Sequence, residues 1–279
     1  VTPTAAAGDT HNFVTADAFL AADGVPGVPD VPVEIVSPST PSAVAIEITL
    51  LGTFDLRVGG KSVGPLSVGS QRLLVFLALH DRAVGRAAMA GRMWPEASDE
   101  RAGISLRSAL SRLDAPTREA ILTASAGLKL ADTVVVDLRT AQALAHRLLQ
   151  PNSETRHSDL TSSALAALAA ELLPDWYDDW VIAEAEDWRQ LRLSALKKMA
   201  SLFTVGGRLA DAAGAARAAM KVEPLRESAH ATLIRVHLAE GNQSEALRVY
   251  ERYSALLDTA LGIAPTPRLA ELVSFRPTR

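Results

Sequence analysis

Arg101, Arg107 and Arg112, interleaved with Ile104, Ser105, Ser108 and Ser111, are the residues of this chain best suited to chemistry with a partner. Guanidinium groups donate to guanine edges or phosphate oxygens, small hydroxyls allow close approach, and a branched aliphatic can meet a thymine methyl. Something must hold them on one surface. At about 100° per residue, Ala102, Leu106, Ala109, Leu110 and Leu113 share the opposite face, so Ser98–Leu113 reads as one helix. Ser98 can serve as its N-cap, and Asp99 and Glu100 suit the positive end of its dipole. A plain amphipathic surface helix would carry the same oily stripe. It would usually carry Glu and Lys pairs outside, whereas this face has no carboxylate after Glu100.

Other reactive-looking groups resolve into bland readings. Gly59-Gly60-Lys61-Ser62 lacks the glycine a phosphate loop needs five residues earlier, where Asp55 stands, and no helix follows directly. His230 and His237 are the only histidine pair that could share a helix face. Two turns, about 10 Å, separate them, too far for one metal ion. Asp175, Asp178 and Asp179 lie among Trp176, Tyr177 and Trp180. That cluster sits in a Pro-started segment between helices and reads as a packing clasp rather than an acid–base pair. No activated-serine context is present. The sequence marks no active site, no metal site and no cofactor, and it is read as a non-enzyme.

Composition bounds the alternatives. The 279 residues allow two compact domains, and 48% apolar content is ample for cores. Cysteine is absent, so no disulfide frame or thiolate site exists. No apolar run approaches a membrane span and no leader pattern opens the chain, so a cytoplasmic protein without a membrane partner is expected. Net charge is −4. Residues 1–45 hold five acids, no Lys or Arg and six of the 15 prolines; they read as a disordered tail with a short helix over Thr15–Ala22. Residues 46–139 are net +2 and the remainder net −1. Nucleic-acid binding would therefore rest on local placement of cations, not on bulk charge.

The elements that would position the arginines follow in order. Short strands run over Ile46–Val63 around a tight Gly59-Gly60 turn. Gly69–His80 is a helix with Gln71 and Arg72 at its N-terminus, where free amides favour anions. Ala83–Trp94 is a second helix, stopped by Pro95; Arg82, Arg86 and Arg92 flank it and are read as solvent-facing. The arginine helix comes third. A hairpin follows, with Lys129 on its second strand. This order is a winged helix-turn-helix over 46–139, its third helix the reader and its hairpin the wing. Residues 140–279 read as helices over Arg139–Leu149, Ser162–Leu172, Ala183–Val205, Leu209–Val222, Leu225–Glu240, Gln243–Leu261 and Pro267–Val273. A 34-residue spacing relates Gly207 to Gly241, Ala212 to Ala246 and Ala216 to Tyr250. That period indicates stacked, tetratricopeptide-like helix pairs. The fold class is mainly α: a winged helix followed by an all-α helical repeat domain.

These segments carry a family resemblance. LLGTFDLRVGGKSV, Gln71-Arg72, Val84 through Met93-Trp94-Pro95, Leu106 with Ser111-Arg112-Leu113, Gly127-Leu128-Lys129-Leu130 and Val136-Asp137-Leu138 resemble the OmpR-type winged helix of the Streptomyces antibiotic regulatory protein family. EAEDWRQLRLSALKKMA and the stretch from Glu223 to Leu269 resemble its bacterial transcriptional activator domain, here 140–279. The resemblance implies a sequence-specific regulator, an activator, that binds double-stranded DNA at direct repeats with protomers side by side. It implies contact with RNA polymerase holoenzyme through Trp94, Pro95, Glu96, Ala97 and Ser98, and control of a specialised-metabolite gene cluster. Gln71, Arg72, Arg101, Ile104, Ser105, Arg107, Ser108, Ser111, Arg112 and Lys129 become the expected DNA-binding residues. Three departures each remove a phosphate contact: Ser70 where the family often has Lys, Gly103 where it often has Arg, and Asp114-Ala115-Pro116 after the reading helix. With the net acidity, they motivate an alternative, an adaptor that binds a protein or effector through its helical repeats and has weak or lost DNA binding.

Overall fold

The computed structural model describes residues 44–151 and 156–274. The expected tail up to residue 43, its helix over Thr15–Ala22 and residues 152–155 of an expected loop lie outside the described residues.

Strand β1 (Ile46–Thr49) alternates, burying Ile46 and Ile48, and pairs antiparallel with β2 (Asp55–Val58), Ile46 opposite Val58 and Thr49 opposite Asp55. The turn into β3 (Lys61–Ser62) is Gly59-Gly60. Both glycines have positive φ, 59° and 77°, the conformation a two-residue turn needs to match strand twist. Helix α1 (Val68–Leu79) starts at Ser67, whose hydroxyl accepts from Ser70 N–H, and buries every residue from Leu73 to Ala78. Helix α2 (Arg86–Met93) begins three residues later than expected. Val84 is instead extended, exchanging two 2.9 Å backbone bonds with Leu128. Helix α3 (Asp99–Ser111) starts at its Ser98 cap. A short helix not expected from the sequence, α4 (Ala115–Glu119), follows, with Pro116 in its first turn, where the missing N–H costs nothing. The wing is β4 (Ile121–Ala124) against β5 (Gly127–Leu130), with Ile121 opposite Leu130.

The chain then returns to the first sheet. Strand β6 (Val135–Val136) adds to β1 in parallel, giving the order β3-β2-β1-β6. Asp137 opens α5 (Asp137–Leu149), and its two carboxylate oxygens accept from Leu50 N–H at 2.8 Å and Leu51 N–H at 3.0 Å. Two backbone donors just past the end of β1 are thereby satisfied. Helix α6 (Ser162–Ala169) ends three residues before the expected Leu172. The reason is tertiary: Leu172 bridges to Leu51, Gly52 N–H donates to Glu171 O, and Leu173 N–H donates to Leu50 O.

Helices α7 (Asp179–Val205), α8 (Leu209–Val222), α9 (Glu227–Ala239) and α10 (Gln243–Leu261) form two successive antiparallel pairs, closed by α11 (Pro267–Leu272) against α9. Helix α7 starts four residues before the expected Ala183, so Asp179 and Trp180 belong to its first turn. The 34-residue period is visible in the backbone. Gly207 and Gly241 follow α7 and α9 with φ of 72° and 79°, and Ala212 and Ala246 are fully buried. Five buried alanines on α8 let it approach its neighbours closely. One continuous apolar core runs from the sheet through α5 into these pairs, and the described residues form one compact unit.

Candidate nucleic-acid interface

Helix α3 presents the two faces its sequence dictates. Ala102, Leu106, Ala109 and Leu113 are at most 3% exposed. Outside, Arg101, Ile104, Arg107, Ser111 and Arg112 are exposed, with Ser105 and Ser108 half-buried. Ile104 is 50% exposed, an apolar side chain in water between cations. Isolated exposed aliphatics are ordinary, but this one lies on an otherwise polar face that points away from the core.

Two contacts fix this helix against the core. The Ser70 hydroxyl, fully buried, donates to Ala109 O at 2.9 Å. At the same C-terminal end Arg118, on α4, donates to Leu113 O at 2.5 Å and Ser111 O at 3.3 Å. A cation on the last carbonyls of a helix also complements its dipole. Position 70 in this chain is therefore a pin for α3, not a surface position short of a lysine. Arg118 was not legible as a positioning residue, because its carbonyl partners gather only after α4 folds back. An open cleft of about 1030 Å³ separates α2 from α3. Ala87, Ala88, Gly91 and Gly103 keep it shallow-walled, while Arg86, Arg107 and Arg118 border it.

The remaining expected residues divide. Gln71 and Arg72 do not stand on a free helix end. Gln71 N–H is already bonded to Ser67 O, and its side-chain amide donates to Leu66 O at 3.2 Å. Arg72 pairs with Asp178 at 2.5 Å, joining α1 to the segment before α7. Helix α1 starts at Val68, one residue before the expected Gly69, which puts the Gln71 amide inside its first turn, and folding brings Asp178 to Arg72. Lys129 stands on β5 and pairs with Asp132 at 3.1 Å; Asp132 is 91% exposed, so solvent screens that pair strongly. Of the loop Trp94–Ser98, Trp94 is half-buried and Ser98 caps α3, leaving Pro95 and Glu96 exposed. Gly127 secures the wing: its φ is 136°, and a Cβ there would come within 1.9 Å of Val84 O.

The tryptophan–aspartate segment is a clasp. Trp176 lies 6.2 Å from Phe54, and Trp180 meets Phe76 edge-on at 5.2 Å, tying the segment to the first sheet and to α1. Tyr177 is 80% exposed. Arg139 further joins the halves, donating to the carbonyls of Leu77, Ala78 and His80 at the end of α1. The two histidines of the helical repeat have separate partners. His230 stacks on Tyr253 and contacts Pro224 O at 2.8 Å, while His237 contacts Glu240 at 3.3 Å. Burial holds the His230 imidazole below its ordinary pKa. Arg147, hydrogen-bonded to the buried Asp159, holds that carboxyl below its ordinary value.

Residues 136–274 match the family described as the bacterial transcriptional activator domain. The chain is 29% identical over 249 residues to the regulatory protein AfsR of Streptomyces griseus, covering 85% of this chain and 25% of that one. It is 28% identical over 241 residues to the AfsR of Streptomyces coelicolor, covering 82% and 24%. The chain thus spans about a quarter of the length of these curated relatives. Among solved structures, Mycobacterium tuberculosis EmbR in complex with a low-affinity phosphopeptide superposes with a TM-score of 0.62 at 24% identity, over 82% of this chain and 64% of that one, which shows a shared fold. Winged helix and helical repeat thus occur here in the order the sequence implied; residues 136–274 belong to the bacterial transcriptional activator domain family, and the matches support a transcriptional regulator of the Streptomyces antibiotic regulatory protein type.

Proposed function

We propose that this protein is a cytoplasmic, sequence-specific activator that lays α3 in the major groove of double-stranded DNA. The observation that carries the reading is the outer face of α3. Exposed Ile104 lies among Arg101, Arg107 and Arg112, on a helix pinned at Ala109 and capped by Arg118. A rigid helix presenting guanidiniums and one methyl-bearing side chain suits direct base readout. Arg107 and Arg112 contact bases or phosphates, Ile104 a thymine methyl, and Ser105, Ser108, Ser111 and Arg101 the adjoining edges. Lys129 reaches the backbone from the wing once it leaves Asp132. Gln71 and Arg72 position the domain from inside. Protomers sit side by side on direct repeats, and exposed Pro95 and Glu96 meet RNA polymerase holoenzyme. The regulated genes form a specialised-metabolite cluster.

The test is selection of bound sequences from a random duplex pool, followed by a salt series on the enriched site. A recurring direct repeat bound well above scrambled DNA at physiological salt is the expected result. Folded protein that enriches nothing would overturn the reading and favour the adaptor, whose helical repeats bind a partner without DNA.

A further inference from the structure

A second cationic feature lies far along the chain from α3. Helices α7 and α9 are the first helices of successive pairs and pack side by side. Between them opens a cleft of about 410 Å³, lined by Lys197, Lys198, Ser201, Ser228, Thr232 and Arg235 among others. The 34-residue period builds it: Lys198 and Thr232 occupy equivalent positions, as do Ser201 and Arg235. The lining contains no carboxylate. Among the described residues, Lys197, Lys198 and Arg235 have no acidic partner within salt-bridge distance, nor has neighbouring Arg226. Elsewhere in the same half Arg147, Arg189, Arg192, Arg208 and Arg248 each have one, while Arg217, Lys221, Arg252 and Arg268 have none among the described residues but do not line this cleft. Glu227, adjacent to Ser228, is committed to Thr266, accepting from its amide at 2.8 Å and from its hydroxyl. Lys197 donates to the Ser228 hydroxyl at 2.9 Å, which leaves that hydroxyl's own proton free.

We propose that this cleft binds a small phosphate-bearing anion. Three cations lining one cleft with hydroxyl donors supply the polar set that recognises a phosphoryl group. The size argues for a compact ligand rather than a long peptide. A solenoid groove lengthens by adding repeats, and this one spans the first helices of only two pairs. Burial, with Arg226 nearby, already holds the Lys197 ammonium below its ordinary pKa. The charge of a bound anion would favour the ammonium and offset that effect, and binding to the folded state alone stabilises the fold.

The experiment is calorimetric titration of the full chain at constant ionic strength with inorganic phosphate, pyrophosphate and glucose 6-phosphate, alongside thermal melts. Saturable binding of at least one probe is expected, with a raised melting temperature. The double variant K197Q/R235Q should lose affinity by about tenfold or more, and K221Q, in a different cleft, should not. Ser201→Glu places a carboxylate in the cleft; it should raise the melting temperature of the free protein and abolish probe binding. Tighter glucose 6-phosphate than phosphate assigns a phosphate ester, and the reverse assigns the inorganic ion. Absence of binding to the parent chain overturns the proposal, as does equal binding by parent and K197Q/R235Q. Loss of duplex affinity in K197Q/R235Q without any probe binding by the parent assigns the cleft to the DNA backbone instead, and likewise overturns it.

Discussion

Arginine side chains in this protein have opposite fates, and only their partners tell them apart. Arg112 is exposed at the C-terminal end of α3, whereas Arg72 is three-quarters covered and paired with Asp178. Arg112→Ala should lower specific DNA affinity by about 1–3 kcal/mol if it reads a base, and leave the melting temperature within a degree or two. Arg72→Ala should do the reverse. It costs about 1 kcal/mol of stability, because a partly exposed pair is screened, and leaves the salt dependence of DNA binding unchanged. Measuring both properties on both variants checks the division. A shallower salt slope for Arg72→Ala would return that residue to the phosphate-contacting set. Ser70 belongs here too. The departure from the family pattern that looked like a missing phosphate contact is a buried hydroxyl holding the Ala109 carbonyl.

Elements are joined by a few backbone bonds whose donors and acceptors lie far apart in sequence. The wing is attached to the strand segment before α2 by the Val84–Leu128 pair, and Gly127 leaves the space for it. Gly127→Ala therefore strains a residue at φ 136° and breaks that pair; about 2–4 kcal/mol of stability should be lost in chemical denaturation. Asp137 joins α5 to the end of β1. Asp137→Ala should cost about 3 kcal/mol by stranding two backbone donors, and Asp137→Asn should recover part of it, since one acceptor oxygen remains. Equal losses in the two variants would mean that the charge, not the acceptor, matters. The short helix α4 illustrates the same dependence. Asp114-Ala115-Pro116, a departure from the family pattern, starts a turn that delivers Arg118 to the carbonyls ending α3.

Across the whole molecule the winged helix and the helical pairs share one core, so stability measured in one half reports on the other. The clasp of Trp176 and Trp180 and the Arg139 cap bridge them. Acid should loosen the helical half in two stages. His230 is held below its ordinary pKa by burial, so the unfolded chain binds the extra proton first. Stability therefore falls as pH drops below about 6.5 and on toward the folded value. Melting temperature should decrease between about pH 7.5 and pH 5.5, and His230→Phe should flatten that slope while keeping the stack on Tyr253. An unchanged slope would place the sensitivity elsewhere. Asp159 acts later. Its carboxyl is held low by Arg147, so its contribution is present above about pH 4 and lost as pH falls through the lowered value.

Much of this architecture was legible in the residues themselves. The faces of α3, its Ser98 cap, the Gly59-Gly60 turn and the 34-residue period were all readable. The limits of α8 and α10 agree with expectation to the residue. Each depends on local geometry: helix periodicity, capping and φ preference act within a few residues. What tertiary structure decided is which charges stay free. Arg72 meets Asp178 across 106 residues, and Asp137 reaches Leu50 across 87. Strand β6 joins β1 in parallel, and α6 ends where Leu172 meets Leu51. None of these pairs leaves a periodic trace. A cation on an exposed-looking helix face has the same sequence signature whether it waits for DNA or for a carboxylate brought to it by folding, because hydrogen bonds and ion pairs depend on distance in space, not along the chain.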